Sequence, residues 1–331
     1  MRTWLILALA VPALLWTAYW GAAAFAVKQG AERFVQEQRH GDLSSRFAEL
    51  RIGGFPTDLR FDFEDVQVQD ADRLVWSVPV ARLSAPAYRP QDVRLDLSGP
   101  QKVEGRFGDL DIQAEVFDIG LLFRLAASVP LARVQLIMEA GRLAHASGWR
   151  LDAERLLVTF QEPANSAADT AGDLSLYRLG LEGRALDLSG LLIDLPPDYQ
   201  EITDVTARMG LAFSRPWDRS LLETGPPDLR GLIIDQGQIR FGEATLTLSG
   251  QLAVSADGLL SGHVDIELQG WRAVLAAFRQ TDFLDPDIAD LILDFLGPET
   301  DDQEAARVPL QFQDGMVSFG IFTLGFLPPL P

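Results

Sequence analysis

Residues 245–269, TLTLSGQLAVSADGLLSGHVDIELQ, decide the fold class of this chain. Apolar and polar side chains alternate through residues 245–254, with two small-residue exceptions, and again through residues 263–269. A period of two is typical of a strand with one apolar face and one solvated face. The dipeptide Asp257-Gly258 separates the two runs and favours a short connection, which indicates antiparallel pairing.

The same alternation recurs outward along the chain, at residues 60–64, 94–98, 109–113, 133–136 and 174–176. Beyond residue 42, helical patterns are few, and they lie at residues 271–278 and 286–296. Small polar residues at 162–173 indicate a long surface loop or a division between two sheet halves. We therefore predict a mainly β fold (β-rich α+β) in which antiparallel sheets carry a few short helices.

The N-terminal segment carries a second strong signal. Residues 4–27 contain no charged side chain and, at about 1.5 Å per residue, are long enough to cross a bilayer core of about 30 Å as a helix. The run exceeds the usual length of a cleaved signal, although Ala24-Phe25-Ala26 has the form of a cleavage site. We predict an uncleaved anchor, and cleavage stays open as the alternative. The expected order is a short tail at 1–3, a transmembrane signal-anchor helix at 4–27, a helical stalk at 28–42 and a β-rich periplasmic domain at 43–331.

Composition narrows the location and the partners. The chain has no cysteine and a formal net charge of −19. This charge argues against nucleic acid as a partner, because affinity for the phosphate backbone depends on clustered Lys and Arg. The signal-like start favours an exported bacterial protein. We expect a single-pass protein of the inner (cytoplasmic) membrane with its body in the periplasm.

A search for catalytic or metal-binding patterns gives little. His40, His145 and His263 are isolated in sequence, and no P-loop, G-x-G-x-x-G or G-x-S-x-G motif occurs. An acidic cluster lacks the spacing and the glycine of an EF-hand, so we interpret it as a solvated strand face. Its members are Asp62, Glu64, Asp65, Asp70 and Asp72. We predict a protein that is not an enzyme and has no metal or cofactor.

Gly53-Gly54-Phe55-Pro56 is a more specific local signal. Proline has no N–H to donate to a strand ladder, so this tetrapeptide does not fit inside a regular central strand. We predict a bulge or a sharp corner where the first strand enters the sheet.

Several short motifs together resemble one family over nearly the whole chain. They are the N-terminal span, Gly-Phe-Pro at 54–56, Gln-Gly-Trp at 269–271, and the ending with Val308-Pro309-Leu310, Asp314-Gly315-Met316-Val317, Leu324-Gly325 and Pro328-Pro329-Leu330. These features resemble the alphaproteobacterial domain-of-unknown-function 2125 family, DUF2125. That family is similar to the AsmA-like inner-membrane-anchored envelope proteins, whose strand–Asp-Gly–strand phrase looks like residues 246–268.

The resemblance implies a strongly curved antiparallel sheet with an apolar concave face, and a role in moving phospholipid towards the outer membrane. The chain is much shorter than the long bridging members of the AsmA-like group. At about 3.4 Å per residue along a strand and about 4.8 Å between strands, we do not expect one molecule to bridge the periplasm.

We therefore expect a non-enzymatic envelope protein that binds or helps traffic phospholipid. The predicted lipid-facing residues are Leu246, Leu248, Leu252, Val254, Val264, Ile266 and Leu268. The alternative is a structural or assembly factor whose apolar face is an ordinary closed core and which recruits envelope proteins, for example through an exposed sheet edge. The expected partners are the membrane, phospholipid and envelope proteins.

Overall fold

The computed structural model describes residues 14–25, 28–29, 44–69, 74–106, 108–163, 174–191, 195–279, 305–320 and 322–330. This part of the chain contains eighteen strands and is mainly β. The strand pairs whose register is given below are all antiparallel, so the predicted class of a mainly β, antiparallel fold is confirmed. The chain divides into two compact units. Unit 1 comprises Met1–Phe123 and Arg142–Ser147, and unit 2 comprises Arg124–Gly141 and Gly148–Pro331.

Unit 1 is an antiparallel meander with interrupted strands. Its strands are β1 (Ser44–Arg46), β2 (Glu49–Gly53), β3 (Asp58–Gln69), β4 (Val75–Pro86), β5 (Asp92–Asp96), β6 (Gln101–Glu104), β7 (Leu110–Gln113), β8 (Val116–Phe123) and the last residues of β9 (Leu131–His145). Both β1 and β2 pair with β3, and both β5 and β6 pair with β4. Strand β8 then pairs with β5, while β7 pairs with β6 and β9. The break between β5 and β6 contains Pro100, which lacks the N–H that a ladder needs.

The core of unit 1 follows from the alternation in β3. Leu59 and Phe61 are buried together with Ala87, while the intervening Arg60 is exposed. A second cluster joins Val78 and Ala81 of β4 to Leu97. The first cluster follows the period of two in β3. Val78 and Ala81 are three residues apart on β4, so the second cluster does not follow from strict alternation.

Unit 2 is a longer meander in which each strand pairs with the next. It contains the rest of β9, then β10 (Arg150–Gln161), β11 (Ser175–Asp187), β12 (Glu201–Phe213), β13 (Leu229–Phe241), β14 (Ala244–Val254), β15 (Leu260–Gln269), β16 (Ala306–Gln313), β17 (Met316–Phe319) and β18 (Phe322–Phe326). Residues 162–173 connect β10 to β11, which pair with each other inside this unit. A long surface loop or a division between two sheet halves is predicted at 162–173, and residues 164–173 of this stretch lie outside the described residues.

The described helical segments are few. Helix α1 covers residues 14–25, α2 is Leu221–Thr224 and α3 is Trp271–Phe278, so the helix predicted at 271–278 is confirmed. The predicted helix at 286–296, most of the stalk at 28–42, and residues 4–13 and 26–27 of the predicted span lie outside the described residues. Within the described part of the chain, no helix combines the length and hydropathy needed to cross a bilayer.

Aromatic rings fill one part of unit 2. Phe160 and Tyr177 stack with centroids 4.6 Å apart, and Phe213 contacts both rings edge-on. Trp217 contacts the rings of Phe160 and Phe213 edge-on. The backbone N–H of Trp217 donates to the Tyr177 hydroxyl at 3.0 Å. Burial raises the pKa of Tyr177 above its ordinary value, which keeps this phenol neutral at physiological pH.

Candidate functional site: the apolar face of β13–β16

The predicted lipid-facing residues all lie on one face of the β14–β15 pair. The register places Leu246 opposite Leu268 and Leu248 opposite Ile266. The other three predicted residues are an even number of positions away along the same strands, so they lie on the same face: Leu252, Val254 and Val264. The sequence pattern therefore selected residues that the fold brings together.

The burial of this face is uneven. Leu252 and Val254 are 7% exposed and Val264 is 8% exposed. By contrast, Leu246, Leu248, Ile266 and Leu268 are only half-buried. The face therefore has a covered part and a part that retains accessible apolar surface.

The apolar face continues onto both neighbouring strands. On β16, Val308 lies opposite Ile266 and Leu310 lies opposite Val264. On β13, Ile239 lies opposite Leu246 and Leu232 opposite Leu252. We call this continuous surface the β13–β16 face.

Strand β16 contains Pro309, which makes it a poor strand by sequence. Pro309 lies opposite Asp265, and β17 pairs with β16 only from Leu310 onward. The proline therefore stands in a stretch of β16 that has no β17 partner, where a missing N–H is tolerated.

Helix α3 packs at one end of the β13–β16 face. Its buried residues are Trp271 and Leu275, one turn apart. Tyr199 contacts Phe241 and Phe278, each at 5.8 Å between ring centroids. Burial is the main cause that raises the pKa of Tyr199, and nearby carboxylates act in the same direction, so an uncharged ring closes this end.

The N-terminal helix α1 packs against unit 1. Trp16 Nε1 donates to the Pro56 carbonyl at 2.8 Å, Trp20 Nε1 to the Asp58 carbonyl at 2.8 Å, and the Tyr19 hydroxyl to the Ala87 carbonyl at 2.9 Å. The two Trp rings and Ala23 also pack on the buried Leu59, Phe61 and Ala87. Other apolar residues of α1 are exposed, namely Leu14, Leu15 and Phe25.

The predicted corner at residues 53–56 receives this helix. Strand β2 ends at Gly53 and β3 begins at Asp58, with a turn between them. Gly54 has a φ of +94°, and a Cβ there would lie 2.6 Å from the Asp58 carbonyl oxygen. Only glycine fits this backbone without strain. The turn thus exposes the carbonyls of Pro56 and Asp58 to the indole donors of α1.

A polar cavity of about 680 Å³ lies in unit 2, on the sheet face opposite to the β13–β16 face. It is formed by β10–β13, and we call it the polar trough. Arg178, Arg208, Glu182 and Asp235 contribute its charged side chains. On β11 and β12, Arg178, Glu182 and Arg208 lie on the face opposite to that of Tyr177 and Phe213.

Two of the isolated histidines and two members of the acidic cluster have structural partners or exposed strand positions. His145 ends β9, with Nδ1 2.8 Å from the Ser147 hydroxyl, and His263 is exposed on β15. Asp62 accepts from Arg82 at 2.7 Å, and Glu64 pairs with Arg51 at 2.8 Å. His40, Asp70 and Asp72 lie outside the described residues. Among the residues with described positions, no group of three or more His, Cys, Asp or Glu side chains could hold a metal ion.

Comparison with known proteins places the chain in a family. Residues 20–328 match the family described as uncharacterized protein conserved in bacteria (DUF2125), so the chain belongs to DUF2125. No curated protein and no solved structure matches the chain.

Proposed function

We propose that this chain is a non-enzymatic, membrane-anchored protein of the bacterial cell envelope that binds phospholipid on the β13–β16 face and helps its trafficking. The observation that carries the proposal is the uneven burial of that face. Leu248 and Ile266 lie directly opposite each other in its middle, and both keep accessible apolar surface. An acyl chain laid along them would gain about 0.8 kcal/mol for each buried methylene group.

The proposal places the chain in the inner membrane as a single-pass protein with its body in the periplasm. The charge-free run at 4–27 supports an anchor of this kind. The packing of α1 on unit 1 places Trp16, Tyr19 and Trp20 on protein rather than in lipid. The exposed Leu14, Leu15 and Phe25 leave apolar surface for lipid on the rest of α1, so the proposal puts this part of the anchor at the membrane surface, beside the body. The resemblance of residues 246–268 to AsmA-like proteins supports a curved sheet with a lipid-handling role.

Native mass spectrometry of the full chain, extracted from its own membrane in a maltoside detergent, tests lipid binding. We expect phospholipid adducts on the unmodified protein and their loss in the double variant Leu248→Asp/Ile266→Asp. Gln251→Asp, on the solvated face of β14, is the matched control and should keep the adducts. A melting curve for each variant separates loss of lipid from loss of fold. A folded, unmodified protein without adducts would contradict the proposal.

A second candidate function is that of an assembly factor that recruits envelope proteins. The observation in its favour is β18, which among the described strands pairs with β17 alone. Phe322, Leu324 and Phe326 of this strand are 51–63% exposed. An apolar edge strand of this kind can accept a strand from a partner. In that case Leu324→Lys would release a co-purified envelope protein and leave phospholipid adducts unchanged.

A further inference from the structure

The polar trough contains a repeated arrangement of arginine and glycine. Arg178-Leu179-Gly180 on β11 and Arg208-Met209-Gly210 on β12 have the same R-x-G form. The antiparallel register sets Arg178 opposite Gly210 and Arg208 opposite Gly180. Each arginine therefore faces a glycine, and the two arginines occupy diagonal positions on one face of the sheet. Diagonal neighbours of this kind are about 7–8 Å apart at the backbone.

The two glycine positions differ in what lies above them. A Cβ on Gly180 would lie only 2.5 Å from the Thr159 hydroxyl, which leans over this position from β10. The space beside Arg178 is open, because the atom nearest to a Cβ on Gly210 would be Ile233 Cβ at 3.8 Å. A small group lying in the trough can therefore reach both guanidinium groups and the Thr159 hydroxyl.

Neither arginine is neutralised by a close partner. Both side chains are exposed, and among the described residues no ion pair or hydrogen bond joins either guanidinium group to a neighbour. Two like charges at diagonal positions repel each other, and an anion between them removes that repulsion. Guanidinium groups bind phosphate through paired N–H donors, which makes arginine suited to this ligand.

Two carboxylates share the trough. Glu182 lies opposite Thr206, at the position diagonal to Arg208. Asp235 is skipped by the β12–β13 register, which passes from Arg208 and Gln236 to Met209 and Ile234. A bulge re-aims side chains in this way, and it places an additional carboxylate at the trough. The balance of two cations and two anions favours a ligand that carries both signs.

We propose that the polar trough binds a phosphate ester that also carries an ammonium group, with ethanolamine phosphate as the simplest example. The phosphate lies between Arg178 and Arg208, and the ammonium lies beside Glu182 or Asp235. Such a group occurs both as a lipid headgroup and as a soluble ester. The lipid source rests on the proposed function, whereas the site itself does not.

Calorimetric titration of the full chain in a maltoside detergent, which contains no phosphate, tests the site with glycerophosphoethanolamine. We expect saturable binding that weakens as salt is added. Inorganic phosphate and ethanolamine should each bind more weakly than the combined ligand. Arg178→Gln/Arg208→Gln should weaken binding by about tenfold or more. Arg184→Gln, on the same strand and face but outside the trough lining, is the matched control and should change it less than about twofold.

Two further arms complete the test. Glu182→Gln/Asp235→Asn should weaken glycerophosphoethanolamine binding but not inorganic phosphate binding, because it removes two negative charges that repel an anion. If the natural ligand is a lipid headgroup, dihexanoyl phosphatidylethanolamine should bind at least as tightly as the soluble ester. If only the soluble ester binds, the proposed site is supported and its ligand is a soluble molecule. The inference is overturned if glycerophosphoethanolamine gives no saturable heat, or if Arg184→Gln weakens binding as much as the double variant does. Phospholipid adducts that persist on the intact protein in that case would leave the proposed function standing.

Discussion

Leu248 of β14 and Ile266 of β15 lie directly opposite each other, and both remain half-buried. Leu252, four residues further along β14, is on the same face but only 7% exposed. One strand therefore presents the same side-chain type to two environments. We therefore expect the buried Leu252 to contribute mainly to folding and the half-buried Leu248 to be available for the proposed lipid binding.

The first prediction compares Leu252→Ala with Leu248→Ala. Leu252→Ala should lower the free energy of unfolding by about 2–4 kcal/mol, because truncation of a buried side chain leaves a cavity. Leu248→Ala should lower it by about 1 kcal/mol, since this half-buried side chain contributes less buried apolar area. Denaturant titration measures both values. The assignment of a covered part and an accessible part would be wrong if the two variants lost equal stability.

The second prediction concerns the corner that receives α1. Gly54→Ala should destabilise the protein by about 1–3 kcal/mol, because its φ of +94° and its approach to the Asp58 carbonyl exclude a side chain. Gly53→Ala is the matched control, since its new Cβ would meet only the flexible end of Arg60 at 3.1 Å. Thermal melts should show a clear loss for residue 54 and little for residue 53. Equal melting temperatures would contradict the described turn.

The third prediction concerns the packing of α1 on unit 1. Trp20→Phe removes the donor to the Asp58 carbonyl and should cost about 1–2 kcal/mol, including some lost packing. Hydrogen exchange should become faster in the turn at 54–57 and in α1. Tyr88→Phe, which changes a ring that is 70% exposed, should leave exchange unchanged. Unaltered exchange in Trp20→Phe would show that this hydrogen bond does not hold the helix.

The fourth prediction is a pH dependence. Asp118 of β8 lies directly opposite Asp96 of β5. Burial, and then the charge of Asp96, raises the pKa of Asp118, while Arg94 acts in the other direction. A carboxyl with a raised pKa binds its proton more tightly in the folded state. The ionised Asp118 therefore lowers the free energy of unfolding at neutral pH. This destabilisation disappears once the pH falls below about 3.9, the pKa of an aspartate in the unfolded chain.

Asp118→Asn should consequently raise the free energy of unfolding by about 0.2–1 kcal/mol at pH 7 and by nothing measurable at pH 3. Asp111→Asn, whose carboxylate lies opposite Lys102 rather than another acid, should give no gain at pH 7. Denaturant titrations at the two pH values provide the comparison. A gain of the same size at pH 3 would rule out removal of the charge as its cause.

The sequence predicted much of the β architecture because a period of two carries its own geometry. The alternation in residues 245–254 and 263–269 defined which side chains share a face, and the described register agrees. The helix at 271–278 was also predictable, from apolar residues at helical spacing. Gly54 and Pro56 indicated a corner because glycine adopts backbone angles that are closed to other residues and proline lacks the N–H of a strand ladder. Neither property depends on tertiary structure.

Other features depend on register, which a pattern does not supply. Arg178-Leu179-Gly180 and Arg208-Met209-Gly210 were visible as a repeated R-x-G, but only pairing shows that each arginine faces the other's glycine. The bulge at Asp235 has no signal in the sequence. Packing of α1 on unit 1 was missed for a different reason. A charge-free run predicts burial in an apolar environment without stating whether lipid or protein provides it.

The most direct test of lipid binding on the β13–β16 face is photo-crosslinking in the native membrane, with a benzophenone side chain at position 248. The same group at position 251, on the solvated face of β14, is the control. The account predicts a phospholipid adduct at position 248, identified by mass spectrometry, and none at position 251. Crosslinks from position 248 to the chain itself, with no lipid adduct, would contradict it.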